Sequence, residues 1–318
     1  MEKKKNWSAL IIRVLLLAVV FSLVQYLIMN RILNQYYVIN LTSMCINIIL
    51  AVSLNVINGF TGQLSLGHAG FMALGAYASV FITVKMQQPF ILGLLFACLV
   101  AGVAGFLIGV PTLRLKGDYL AIATLGLGEI IRVVLQNIEY LGGSAGISPV
   151  PKYTTWPWLF ACTVITVAAI INLIDSSYGR AIVSVREDEV ASELMGINIT
   201  RYKVLAFVVG ALFAGLAGAL YAHFFYIIKP ETFGFLKSFD IVVMVVLGGM
   251  GSTSGAIIAA AFITVLTTAL QSFPAIRMIL YALILIMVMI HRPQGLMGTR
   301  EISFKGLLKR GHEYKYKY

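Results

Sequence analysis

The chain has 318 residues, of which 59% are hydrophobic and 12% charged. Soluble domains carry about 25% charged and about 45–50% apolar residues, so this composition excludes a water-soluble globular protein and makes lipid the natural solvent. The formal net charge of +11 does not indicate nucleic acid: the bases sit at Lys3, Lys4 and Lys5, at Arg114 and Lys116, around 180–203, and from Arg292 onward, flanking apolar segments instead of forming the basic face of a soluble fold.

In chain order, apolar segments long enough to cross a bilayer, about 20 residues each, are expected at 9–29, 36–57, 68–85, 90–110, 118–136, 156–174 and 204–227. A composite region, 239–272, and a last segment, 275–290, follow. The expectation is one all-α domain over 1–318, a polytopic transmembrane helical bundle of about eight to ten spans with broken or re-entrant helices. Segment 9–29 follows three lysines but is too long for a signal-peptide core. It runs into Asn30-Arg31 without a small-residue cleavage site, so it is expected to be a retained first span. Cys45, Cys98 and Cys162 all fall in apolar segments without metal-type spacing.

Between 36–57 and 68–85 lies Asn58-Gly59-Phe60-Thr61-Gly62-Gln63-Leu64-Ser65-Leu66-Gly67, and within 239–272 lies Gly248-Gly249-Met250-Gly251-Ser252-Thr253-Ser254-Gly255. Irregular backbone of this kind is tolerated at membrane depth only where protein or a water-filled cavity surrounds it. Glycine-interrupted segments in both halves of a chain point to a transporter's central pathway. Gly62, Gln63, Ser65, His68, Gly248, Gly249, Gly251 and Ser252 are therefore expected to border it; His68 either caps the first turn or lines the pathway. Small residues one helical turn apart (Ala101 and Gly105, Gly105 and Gly109, Gly210 and Ala214, Ala211 and Gly215, Ala214 and Gly218) predict close helix packing.

Counting spans with the bases inside puts both termini in the cytoplasm, including the basic tail 291–318, with seven Lys/Arg against two acids from Arg292. The same count makes 175–203 cytoplasmic. That stretch holds four bases and five acids and is long enough for its own helix, expected from Ala181 to Met195 with Gly196 as its stop. Ile182, Val185, Val190 and Leu194 give it a partial apolar stripe, which suits either docking to a partner or lying at the lipid interface.

Ionisable residues inside the spans are few: His68, Asp118, Glu129, Arg132, His223 and Asp240. Glu129 and Arg132 are three apart and are expected to neutralise one another on one helix face. No mid-span relay of the kind an ion-coupled carrier uses stands out. The chain carries no G-x-x-x-x-G-K-[ST] loop and no H-E-x-x-H, so no catalytic residue and no metal ligand is expected.

The run Asn58 to Tyr77, reading NGFTGQLSLGHAGFMALGAY, closely resembles the signature of branched-chain amino acid ABC importer permeases, in particular the LivM-type subunit. Further matches are Gly117-Asp118-Tyr119-Leu120-Ala121-Ile122-Ala123-Thr124-Leu125, then Gly179-Arg180-Ala181 with Asp188 and Ala191, and Gly196-Ile197-Asn198. Ala214-Gly215-Leu216-Ala217-Gly218-Ala219-Leu220 and Val246-Leu247-Gly248-Gly249-Met250-Gly251-Ser252 complete the series. The resemblance implies an ABC importer permease fold in a bacterial plasma membrane. It implies a second, LivH-type permease, two cytoplasmic ATPases of LivG and LivF type that hold ATP and Mg, and an extracytoplasmic solute-binding protein. The substrate would be leucine, isoleucine or valine; permeases for urea, short amides or other amino acids share these motifs, and an ion-coupled carrier is the reading from another class. In the resemblance, 179–196 is the coupling helix that fits a cleft on the ATPase: Arg180, Arg186 and Asp188 are the implied docking contacts, Gly196 ends the helix, and Gly179 and Ala191 complete the matched positions.

Overall fold

In the computed structural model the chain is helical. The structure describes residues 7–113, 115, 117–270, 279, 280, 283, 286, 287, 290, 291 and 295–298. The expected span 275–290 lies mostly outside these, as do the tail from residue 299 and Lys3, Lys4, Lys5, Arg114 and Lys116.

The helices are α1 (Trp7–Met29), α2 (Gln35–Asn55), α3 (His68–Val80), α4 (Phe90–Thr112), α5 (Asp118–Asn137) and α6 (Trp156–Asp175). After them come α7 (Ser177–Glu187), α8 (Glu189–Leu194), α9 (Ile199–Ala222), α10 (Phe235–Gly248) and α11 (Thr253–Ala269). The ends of α2 and α3 loosen into wide turns, Val56–Phe60 and Phe81–Lys85. Among the described residues the only strand-like pairing is a bridge between Ile147 and Ile228. Among the described residues, four helices are long and apolar enough to cross a membrane: Gln35–Phe60, Phe90–Thr112, Trp156–Asp175 and Ile199–Ala222.

The core gathers on α9, which packs against α2, α3 and α4. The small residues make this possible. Gly75 lies on the backbone of Gly215 so closely that no Cβ fits, and a Cβ on Gly218 would strike the carbonyl of Met72. A Cβ on Gly105 would stand 2.6 Å from that of Ala211, and one on Gly215 2.5 Å from that of Ala101. The expected packing spacings thus lie where α9 meets α3 and α4 and where its Gly210 meets Ser53 and Ile57; at these places van der Waals contact at short range drives association in lipid. By contrast α1 stands at the edge, holding α6 through Phe21 and Phe160, with ring centroids 5.4 Å apart.

Two expectations change, at 204–227 and at 181–195, while the composite region takes the expected form of a broken pair. The segment 204–227 is a helix from Ile199 to Ala222, because the Asn198 side chain accepts the amide of Arg201 and so starts the helix five residues early. The composite region 239–272 resolves into two helices joined at glycines, with α2 against both. At about 1.5 Å per residue α10 and α11 span roughly 21 and 26 Å, short of the about 30 Å hydrocarbon core, as a re-entrant hairpin requires. The single helix expected from Ala181 to Met195 is two helices, broken at Asp188.

Candidate functional site

The connection from α2 to α3 is tied down locally. Asn58 pinches it, donating Nδ2 to the Ser65 carbonyl at 3.3 Å and accepting the Ser65 amide on Oδ1 at 3.1 Å. Thr61 returns its hydroxyl to the carbonyl of Val56 at 3.0 Å, and Gly62 takes a positive φ of 69°. The far end is pinned when Leu66 donates to Thr124 Oγ1 at 3.0 Å and Ala69 donates to Ser238 Oγ at 3.1 Å. His68 is fully buried as the first residue of α3, and its Nε2 meets Ser53 Oγ of α2 at 2.9 Å. Neither amide atom of Gln63 has a hydrogen-bond partner, nor do Ser65 Oγ and His68 Nδ1, although all are buried.

The turn between α10 and α11 is built differently. Gly249 and Gly251 have φ of 110° and 90°, which a side chain makes unfavourable. Ser252 starts α11, its Oγ accepting the amide of Gly255 at 3.1 Å. Gly248 lies on the Gly255 backbone with no room for a Cβ on either. The last carbonyls of α10 are taken by the chain near its end: Leu296 donates to Leu247 at 2.9 Å and Met297 to Gly248 at 3.2 Å.

The two breaks, 192 residues apart when counted from Gly59 to Gly251, touch. Asn55 is fully buried; its Oδ1 accepts the Gly251 amide at 3.0 Å and its Nδ2 donates to the Ser252 carbonyl at 3.0 Å. Gly59 sits against the Gly251 amide with no space for a Cβ. Asn55 escaped sequence reading. Its signal was an amide inside an apolar helix, which must find a partner when buried.

The pair α7–α8 lies beside this junction. Only Ser176 separates α6 from α7, and its hydroxyl donates to Leu173 at 2.6 Å and accepts the Gly179 amide at 3.3 Å. Gly179 is pressed on the Ile174 backbone. Ile182 and Val185 are buried against the bundle. Arg186 follows them inward, its Nη1 donating to the Gly59 carbonyl at 3.0 Å and its Nε to Glu187 Oε1 at 3.0 Å. Asp188 ends α7 and starts α8 by accepting the amides of Val190 and Ala191 at 2.9 and 3.0 Å. α8 stops in a Schellman turn: Ile197 donates to Ser192, Gly196 to Glu193, and Gly196 has φ of 81°.

The expected apolar stripe therefore divides. Ile182 and Val185 face the bundle, whereas Val190, Leu194 and Met195 are 68%, 83% and 82% exposed. Arg180 and Ala191 are exposed too. A cleft of about 530 Å³ opens beside them, lined by Leu113, Glu189, Glu193, Asn198, Thr200 and Lys203. Lys203 is nearly buried there and pairs with Glu189 at 2.5 Å.

Of the intramembrane ionisable residues, Glu129 and Arg132 form the expected ion pair at 2.6 Å, and Glu129 also accepts the amide of Phe235 at 2.9 Å, fixing the start of α10. His223 lies away from the breaks, with Thr83 Oγ1 at 2.8 Å and the ring of Tyr153 stacked on it at 5.7 Å. Of the expected residues on the two breaks, Gly62, Gly251 and Ser252 are brought together, by Asn55, Gly59 and Arg186; the exposed α8 positions stand outside that junction.

Residues 36–289 match the family model described as "Branched-chain amino acid transport system / permease component". The high-affinity branched-chain amino acid transport system permease protein LivM of Salmonella typhimurium is 38% identical over 299 residues, covering 83% of this chain and 70% of that protein. The Escherichia coli LivM is 38% identical over 301 residues, covering 84% and 70%. The permease protein LivH of Salmonella typhimurium is 26% identical over 289 residues, covering 80% and 92%. With a family match across most of its length and relatives this similar, the helical chain with its paired glycine breaks belongs to the family of branched-chain amino acid transport system permease components.

Proposed function

We propose that the chain is the permease subunit of an ATP-driven importer of leucine, isoleucine and valine, worked by separate ATPases that dock on α8. The observation that carries the docking is the exposed apolar face of Val190 and Leu194, continued by Met195 at the C-cap, on a helix otherwise made of acids and small residues. An apolar cluster in water costs free energy unless a partner covers it. The positive-inside count puts that face, and both termini, on the cytoplasmic side, where ATP and Mg belong to the ATPases. The likeness to both LivM and LivH supports pairing with a second, LivH-type permease. A solute-binding protein on the opposite side would deliver the amino acid, and the two glycine breaks would border its path.

The test is ATP-driven leucine uptake by the full chain reconstituted with its partner permease, ATPases and binding protein. Burial of a leucine side chain stabilises by about 1.5–3 kcal/mol, roughly 10- to 100-fold in affinity. Leu194→Asp is therefore expected to lower both ATPase co-purification and uptake at least tenfold. Full retention of the ATPases by that variant overturns the docking assignment.

A further inference from the structure

Arg186 is the one α7 side chain placed against both glycine breaks. Its Nη1 donates to the carbonyl of Gly59 at the end of α2. A Cβ added to Gly62 would come within 2.9 Å of its Cγ, and one added to Gly251 within 2.7 Å of its Nη1. The guanidinium thus fills the angle where the α2–α3 connection meets the tip of the α10–α11 hairpin, and Glu187 holds its other edge through Nε at 3.0 Å.

From this geometry we infer that Arg186 is the positioning residue that carries movement of the ATPase-docking helices to the broken helices of the pathway. The inference rests on the importer reading above and deepens it. α7 is a stiff lever on α6, with one intervening residue and no room for a Cβ at Gly179. A push on the exposed face of α8 therefore moves the end of α7, and with it Arg186. The guanidinium pulls on the Gly59 carbonyl and presses on Gly251, and Asn55 already binds the hairpin tip to α2. Both breaks then move as one. The Arg186 side chain is 25% exposed, with its Nη1 committed to the Gly59 carbonyl. Arginine suits the position because its planar fork serves Gly59 and Glu187 from different edges, which the point charge of lysine does not do.

The experiment uses the whole importer in vesicles with labelled leucine, comparing wild type with Arg186→Ala, Arg186→Lys and Gly251→Ala. Gly251→Ala puts a methyl group into the same contact from the opposite side, on a backbone with φ of 90°. The expected result is ATPase co-purification at the wild-type ratio in all three, with the number of ATP molecules hydrolysed per leucine imported raised at least tenfold. Loss of the ATPases from Arg186→Ala makes the residue a docking contact and overturns the inference. An unchanged ratio of ATP to leucine, with uptake falling only in step with the melting temperature, makes it a static brace and equally overturns it. If even the wild-type chain retains no ATPase, the importer reading falls first and this inference with it.

Discussion

Asn55 shows how much one polar side chain decides in an apolar helix. It joins α2 to a turn nearly two hundred residues later through both ends of its amide. Hydrogen bonds between helices in membranes measure about 0.6 kcal/mol on average, which understates its loss here. Removing the amide leaves the Gly251 N–H buried without a partner, at about 1–3 kcal/mol, while the Ser252 carbonyl keeps the amide of Ala256 at 3.1 Å. Asn55→Leu should therefore lower stability by about 1–3 kcal/mol, read as a depressed thermal unfolding midpoint of the detergent-solubilised chain. An unfolding curve superimposable on wild type would show that the bonds carry no weight. The Glu129–Arg132 pair was legible in the sequence because helical geometry brings i and i+3 together whatever the fold. Asn55 was not, because its partners lie on another element.

At the scale of elements, the tight interface is α3 on α9. Gly75→Ala places a methyl group into the backbone of Gly215, and no rotamer change relieves a clash with backbone. Forced separation of packed elements costs about 1–3 kcal/mol. In α5, Gly126 has nothing within 4 Å of where its Cβ would stand, and alanine is the better helix former by about 1 kcal/mol. The two variants should move the unfolding midpoint in opposite directions, Gly75→Ala down and Gly126→Ala level or up. A parallel shift in both would contradict the packing. The α7–α8 pair shows why the expected single helix failed. Its formers are good from Ala181 on, but Asp188 offers its carboxylate to the amides of Val190 and Ala191, and such a local bond competes with helix continuation. The break turns Val190 and Leu194 away from the face that Ile182 and Val185 bury.

For the whole molecule, the positive-inside count assigns a side of the membrane to each end of the bundle. Leu194 on α8 and Lys152 in the connection between α5 and α6 are both exposed and fall on opposite sides in that count. Cys45 and Cys162 are buried, and Cys98 is half-buried on α4. In a chain with Cys98 replaced by alanine, Leu194→Cys should react with a membrane-impermeant thiol reagent only in inside-out vesicles. Lys152→Cys should react only in intact cells. Labelling of both from the same side would refute the topology.

From the sequence alone came the membrane class, most of the helix positions, the glycine breaks and the family signature, because these follow from local composition, from helical periodicity and from the side-chain demands of positive φ. Tertiary structure alone decided that the two breaks meet, that Asn55 joins them, and that Arg186 turns inward while α8 presents its apolar face outward. Each of those depends on groups distant in the chain satisfying one another's hydrogen bonds or sharing space too narrow for a Cβ, and no local pattern encodes which distant group that is.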